Sequence, residues 1–184
     1  AGDVLGVPLL AVGKHTFVYE IINANRDGYG ILLGVADADP SSSPKKQRVW
    51  AYSPYDNSLK AAARIGETWE VFKPLGRGIR GQPHSHPQAP RLRGAKVLVI
   101  VDMDAKRLAF AINNGAPVDA GVVLPDVVRP CVTLASPGDA ISLHSVKHRP
   151  QTRGEEAEGS GTGTLVPPVR FLSRAEDSAL LFES

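Results

Sequence analysis

The chain has 184 residues, 42% hydrophobic and 22% charged, with a formal net charge of +2. That length and balance give one globular domain with a sizeable core and exclude a disordered chain. So small a charge gives no footprint for nucleic acid, and no apolar run approaches the roughly 20 residues of a membrane helix. Gly (18) and Pro (15) are frequent, which favours short strands joined by turns over long helices. The single cysteine, Cys131, allows no internal disulfide and fits a reducing, intracellular (cytoplasmic) compartment. The chain starts at Ala1 without Met, as a fragment or an engineered chain would. The apolar stretch 4–12 has no basic leader and is broken by Gly6 and Pro8, so it does not read as a signal peptide.

In chain order, Gly13-Lys14-His15 reads as a turn into a strand over 16–22, TFVYEII. Phe17, Tyr19 and Ile21 share one face of it, and Val18, Glu20 and Ile22 the other. After a polar loop, 29–35 is a second apolar strand, predicted to form a hairpin with the first. Its Gly30 and Gly34 mark a bulge or a close backbone approach. A Pro/Ser-rich loop follows at 37–47, then a short strand at 48–53, RVWAYS. The stretch 58–65 fits a helical turn or a short strand, and 67–73 alternates as a strand. Residues 73–96 carry six basic side chains and no acidic one, in an irregular segment of a length that usually signals function or disorder.

The most legible stretch is 97–112. Val97, Val99 and Val101 alternate with Leu98, Ile100 and Asp102, and β-branched residues on both faces indicate a central strand. Residues 102–106 supply turn chemistry. Leu108, Phe110 and Ile112 then resume a period of two, and Asn113-Asn114-Gly115 closes the strand with residues that tolerate positive φ. Strands follow at 117–124, 127–135 and 140–145, with Ser136-Pro137-Gly138-Asp139 as a turn. Irregular inserts are predicted near 73–94 and 148–164. The two prolines at 167 and 168 predict an edge strand over 164–172. Ten or more short strands and no secure long helix make an all-β, antiparallel β-sandwich in a single domain, 1–184.

Chemistry-bearing motifs are sparse. Gly28-x-Gly30 with Gly34 lacks the helix a dinucleotide loop needs. His84-Ser85-His86 puts two imidazoles on one side of an extended segment, but nothing supplies two more zinc ligands, so it reads as a solvated loop. Asp37-x-Asp39 and Asp102-x-Asp104 lack the remaining ligands of a calcium loop and read as turn residues, the Asp37 loop being the better placed to touch a ligand. Glu67 and Glu70 fall on opposite faces of a strand and do not pair as glycosidase carboxylates. No Gly-x-Ser-x-Gly elbow is present, and Cys131 sits in an apolar strand as a packing residue. The reading is therefore no enzyme, no cofactor and no metal.

Three segments, with a fourth following in order, resemble the SPRY domain family: VLGVPLLAVGKHTFVYEI (4–21), GYGILLGVADAD (28–39), VLVIVDMDAKRLAFAINNG (97–115, the most specific) and VVRPCVTLASPGDAISL (127–143). The resemblance covers about 4–145. It implies a bent β-sandwich of the concanavalin-like jelly-roll kind without catalytic residues. Such a domain binds a short linear peptide or a protein surface through loops at one end, as a recruiting or scaffold part of a ubiquitin-ligase or signalling assembly. By position those loops are 23–28, 37–47, 52–57 and 135–138. The candidate partner-binding residues are Arg26, Asp37, Asp39, Tyr52, Tyr55 and Ser136, with Tyr and Trp near loops as the amphipathic anchors. Trp50 reads as core. The strands from 164 onward are expected to take the place of family strands missing from the start. The rival reading is a lectin-like carbohydrate binder using Asp37, Asp39, Tyr52 and Trp69.

Overall fold

A computed structural model describes residues 2–5, 8–24, 30–38, 48–55, 58–62, 70–74, 92–113, 115–149, 169–172 and 181–183. These residues hold thirteen strands: β1 (Gly2–Leu5), β2 (Lys14–Asn23), β3 (Ile31–Asp37), β4 (Val49–Ser53), β5 (Ser58–Ala62), β6 (Glu70–Pro74), β7 (Lys96–Asp102), β8 (Arg107–Ile112), β9 (Val118–Val123), β10 (Val128–Leu134), β11 (Ala140–Arg149), β12 (Val169–Leu172) and β13 (Leu181–Glu183). They form a six-stranded sheet, β1-β10-β3-β4-β5-β6, and a seven-stranded sheet, β13-β12-β11-β2-β7-β8-β9, with every pairing antiparallel. The stretch left open at 58–65 is a strand over its described part. The bulk of the inserts near 73–94 and 148–164 lies outside the described residues.

The alternating side chains explain the layering. Phe17, Tyr19 and Ile21 on β2, Val97, Val99 and Val101 on β7, and Leu108 and Phe110 on β8 face inward. They meet Ile31, Leu33 and Val35 on β3, Trp50 and Tyr52 on β4, Leu59 on β5 and Val128, Val132 and Leu134 on β10 in one buried cluster. The antiparallel β-sandwich read from the sequence is the fold observed. Tyr19 sits deep in this cluster, where burial, with the Cys131 thiol adding to it, pushes the phenol above its ordinary value. β3 and β4 are buried on both faces, and Ala36, Val49 and Cys131 form a second small cluster on the far side of their sheet.

The central hairpin is as read: Val97 pairs with Ile112 and Asp102 with Arg107. Asn113, at φ 52°, ends the ladder by accepting the Lys96 N–H on Oδ1. The hairpin expected between the two amino-terminal strands does not form. β2 lies between β11 and β7 in one sheet, and β3 between β10 and β4 in the other. Sequence neighbours usually pair, but here the link between β2 and β3 joins the two layers of the sandwich. The strand near residue 170 is not an edge either, because β12 is flanked by β11 and β13. Its two prolines precede the strand, so no ladder N–H of β12 is lost. Pro130 does sit within a strand. There it lies opposite Val35 of β3.

Asp102-x-Asp104 is turn chemistry with a second task. Asp102 Oδ1 accepts the Ala105 N–H at 2.9 Å and Oδ2 pairs with Lys14 Nζ at 2.9 Å. Asp104 Oδ1 accepts the Gly13 N–H at 2.9 Å, while the Met103 N–H reaches the Gly13 carbonyl at 2.9 Å. Gly13, at φ 80°, is thereby held on both sides against the β7–β8 turn. Partial burial pushes the Asp102 carboxyl up, but the Ala105 N–H, the Lys14 ammonium and the Asp104 N–H outweigh it and hold the group below its ordinary value of 3.8. A carboxyl lowered in the folded state binds fewer protons than in the unfolded chain. Its contribution is therefore full above that ordinary value and fades as pH falls through the folded one. Asp102→Asn is expected to lower stability by about 1 kcal/mol at pH 7, since Lys14 is largely solvated. The difference from wild type should shrink in urea melts at pH 3. A gap equally wide at pH 3 would place the stabilisation elsewhere.

Candidate interaction site

Strand register decides which loops meet. Ile31 pairs with Leu134, Leu33 with Tyr52 and Ser53 with Ser58. The start of β3, the end of β4 and the end of β10 thus share one end of the six-stranded sheet. Asp37 pairs with Val128 at the other end of β3, and its N–H reaches the Arg48 carbonyl at 2.7 Å. Six residues of extended strand separate the two ends by roughly 20 Å. The strand ends that bound the 23–28, 52–57 and 135–138 loops share the first end, and those that bound the 37–47 loop share the second. The single cluster expected from the sequence is therefore divided: Asp37 belongs to the end opposite Tyr55 and Ser136. Arg26 and Asp39 themselves lie outside the described residues, as do Trp69, His84 and His86.

The first end is braced from within. Ser136-Pro137-Gly138-Asp139 forms a tight turn in which the Asp139 N–H bonds the Ser136 carbonyl at 3.0 Å. Gly138 takes φ 84°, which that turn requires after proline and which only glycine adopts cheaply. The Asp139 carboxylate, fully buried, accepts the Ser136 N–H through Oδ2 at 3.0 Å. Asn23 Nδ2 donates to the Gly138 carbonyl at 2.7 Å, and the Ala135 N–H donates to the Gly30 carbonyl at 3.2 Å. Gly30 adopts φ +100°, and a Cβ there would stand 2.4 Å from the Ala135 Cβ, so the close approach read from the sequence is real. Ser136 is only 5% exposed, while Pro137 and Gly138 are exposed. The tip of this loop, not Ser136, is what it offers a partner.

The two tyrosines separate in the same way. Tyr52 is completely buried and stacks obliquely on Phe110 of the opposite sheet, ring centres 5.7 Å apart. It is a core residue and cannot touch a partner. Tyr55 is half-buried in the turn between β4 and β5. Ser53, one residue beyond Tyr52, points from the other side of β4. It is 1% exposed, and its hydroxyl has no hydrogen-bond partner among the described residues. Sequence reading passed over Ser53, because a serine ending a strand carries no signal of its own.

A second pair went unread. β11 departs from its register with β2 between Leu143 and Ser145, leaving His144 as the bulged residue. Its Nε2 lies 2.5 Å from Glu20 Oε2, on a partly exposed face of the seven-stranded sheet. Glu20 in the apolar run TFVYEII was the available signal, but its partner 124 residues away was not. The described residues hold no group of three or more His, Cys, Asp or Glu side chains placed to share a metal ion. No helix among them is long and apolar enough to cross a membrane.

No family model matches the sequence, and no curated protein does. Among solved structures the chain is similar to the crystal structure of the SPRY domain of human HERC1, at 20% identity and a TM-score of 0.47, over 72% of this chain and 75% of that one.

Proposed function

We propose that the protein is a non-catalytic interaction module that holds a short peptide or a protein surface against the loops at the Tyr55 end. The observation that carries this reading is the braced frame at that end, where Asp139 and Asn23 hold the 136–139 turn from within. Tyr55 and the exposed Pro137–Gly138 tip stand on this frame, so little ordering is needed on binding. A patch of this size suits affinities on the order of micromolar. Work as a recruiting or scaffold domain, in a ubiquitin-ligase or signalling assembly inside the cell, fits such a module. The carbohydrate reading loses support, since Asp37 and Tyr52 are buried and Asp37 leaves from the opposite end.

Affinity capture from cell lysate with wild type, Tyr55→Ala and Tyr55→Phe tests the reading. Proteins held by wild type and Tyr55→Phe and lost from Tyr55→Ala are the expected result. Identical profiles for all three would show that the loop end is not the binding face.

A further inference from the structure

The outward face of the seven-stranded sheet carries a pattern of its own. The core takes Phe17, Tyr19 and Ile21 from β2 and Val97, Val99 and Val101 from β7, so the alternate residues of both strands face away from it. The ladder sets these in rows: Glu20 opposite Lys96, Val18 opposite Leu98, Thr16 opposite Ile100 and Lys14 opposite Asp102. Opposite residues stand about 5 Å apart and successive rows about 7 Å apart, so the side chains form one continuous face. Thr16, Val18, Leu98 and Ile100 are half-buried, and Ala109 on β8, opposite Ile100, extends them. The buried Ala111, opposite Leu98, adds only a methyl group. A mostly apolar centre is thus closed at each end by one acid and one base.

The charges alternate in sign around this centre. Lys14 lies 2.9 Å from Asp102, with side chains 55% and 20% exposed. Glu20 has its side chain 24% exposed and His144 Nε2 2.5 Å away, and Lys96 is exposed. Farther out, Arg107 stands opposite Asp102 and Asp119 opposite Ala109. On the β11 side, Lys147 is opposite Thr16 and Arg149 opposite Lys14. Phe17 lies midway between Lys14 and Glu20, Val99 midway between Lys96 and Asp102, and the two midpoints pair with each other. A two-fold axis in the plane of the face, crossing the strands at that level, turns the pattern onto its own complement. Glu20 then lies over Lys14 of a second copy and Lys96 over its Asp102, with Leu98 over Ile100 between them. An axis along the strands would instead bring β8 over β11 and set Arg107 against Arg149, a repulsive match. Sheets packed face to face keep their strands within about 30° of each other, and the long lysine and glutamate side chains follow that turn.

We propose that the outward face of β2, β7 and β8 is a self-association surface, on which a second copy of this chain packs face to face about the axis that crosses the strands. With β11 beside them, four strands about 4.8 Å apart and about 24 Å long make a face of roughly 500 Å² per copy. About 1,000 Å² in all lies at the low end of specific interfaces, so the dimer is a weak one, with a Kd on the order of 10–100 micromolar. This face is neither end of the sandwich, and its pairing stands whether or not the Tyr55 end binds a peptide.

Sedimentation velocity from about 1 to about 500 micromolar reads the association. Wild type is expected to pass from monomer to dimer within that range. Glu20→Lys meets Lys14 of the second copy, and Lys14→Glu meets its Glu20, so each variant alone is expected to associate at least about tenfold more weakly. Mixed one to one, the two variants match again, and the dimer is expected to return as a heterodimer. Lys96→Glu, at an exposed position, meets Asp102 of the second copy and is expected to weaken association as well. It carries the test alone should Lys14→Glu unfold the chain, and thermal melts check the fold of every variant. Arg48→Glu, exposed at one end of the sandwich, is the control and should leave association unchanged. Wild type that stays monomeric at about 500 micromolar would overturn the proposal. So would association that the charge reversals leave untouched, or a mixture of two folded variants that associates no better than either alone.

Discussion

Gly34→Val abolishes folding. Gly34 lies in the middle of β3, opposite Ala51 on β4 and Cys131 on β10. A Cβ added there would stand 1.9 Å from the Trp50 carbonyl oxygen and 2.6 Å from the Ala51 Cα. Both obstacles are backbone, so no rotamer change relieves them, and the β3–β4 spacing itself would have to open. Overpacking a core ordinarily costs about 1–3 kcal/mol where side chains can yield. Here they cannot, and a domain has only about 5–15 kcal/mol in total. Gly34→Ala is expected to lower the urea midpoint steeply and Gly34→Val to leave no soluble folded protein. Gly94 is the control. It takes φ +81°, but nothing lies within 4 Å of an added Cβ. Gly94→Ala should cost only the strain of a left-handed residue, about 1 kcal/mol. A folded Gly34→Val protein with an unchanged midpoint would mean that β3 and β4 are not packed as described.

Tyr52→Ala and Tyr55→Ala should behave as opposites. Tyr52 fills the space between the sheets against Phe110, and truncating a buried aromatic costs about 3–5 kcal/mol in transfer and cavity terms. It lowers the melting temperature by many degrees and weakens binding only by unfolding the protein. Tyr55, half-buried in an outer turn, should change the melt little and reduce partner binding by at least about tenfold. Removing both together would confuse the two effects, so the single variants are the informative pair. Calorimetric melts and binding on the same samples check this. A Tyr52→Ala protein as stable as wild type would contradict the burial of its ring. Unchanged binding by Tyr55→Ala would remove the loop end as the contact face.

What the sequence revealed and what it hid follow from the range of the interactions. The 97–112 hairpin was legible because its alternation, its Asp-x-Asp turn and its Asn-Gly stop all act within a few residues. So was the Ser136–Asp139 turn, whose proline and glycine specify their own dihedrals. The close approaches at Gly30 and Gly34 were legible as a need for a missing side chain, though not which neighbour imposed it. The partners of β2 and β3 were not legible. Both strands are apolar, and nothing local says that one crosses to the other sheet. Two errors about the site were avoidable. Residues 48–53 form one strand, so the loops at its two ends, 37–47 and 52–57, must lie at opposite ends of the sheet. Trp50, read as core, shares a face with Tyr52 two residues on, so Tyr52 had to be core as well. The Glu20–His144 contact depends on a bulge in β11 and on a pairing between strands more than 100 residues apart, which no local pattern records.

The central claim is that binding belongs to the Tyr55 end and not to the end from which the 37–47 loop leaves. Site-specific photo-cross-linking tests it most directly, with a photoreactive amino acid placed at position 55 in one protein and at exposed Arg48 in another. The protein captured by wild type and lost by Tyr55→Ala should form an adduct from position 55 and none from position 48. An adduct of that same protein from position 48 alone would contradict the assignment and move the binding face to the opposite end of the sandwich.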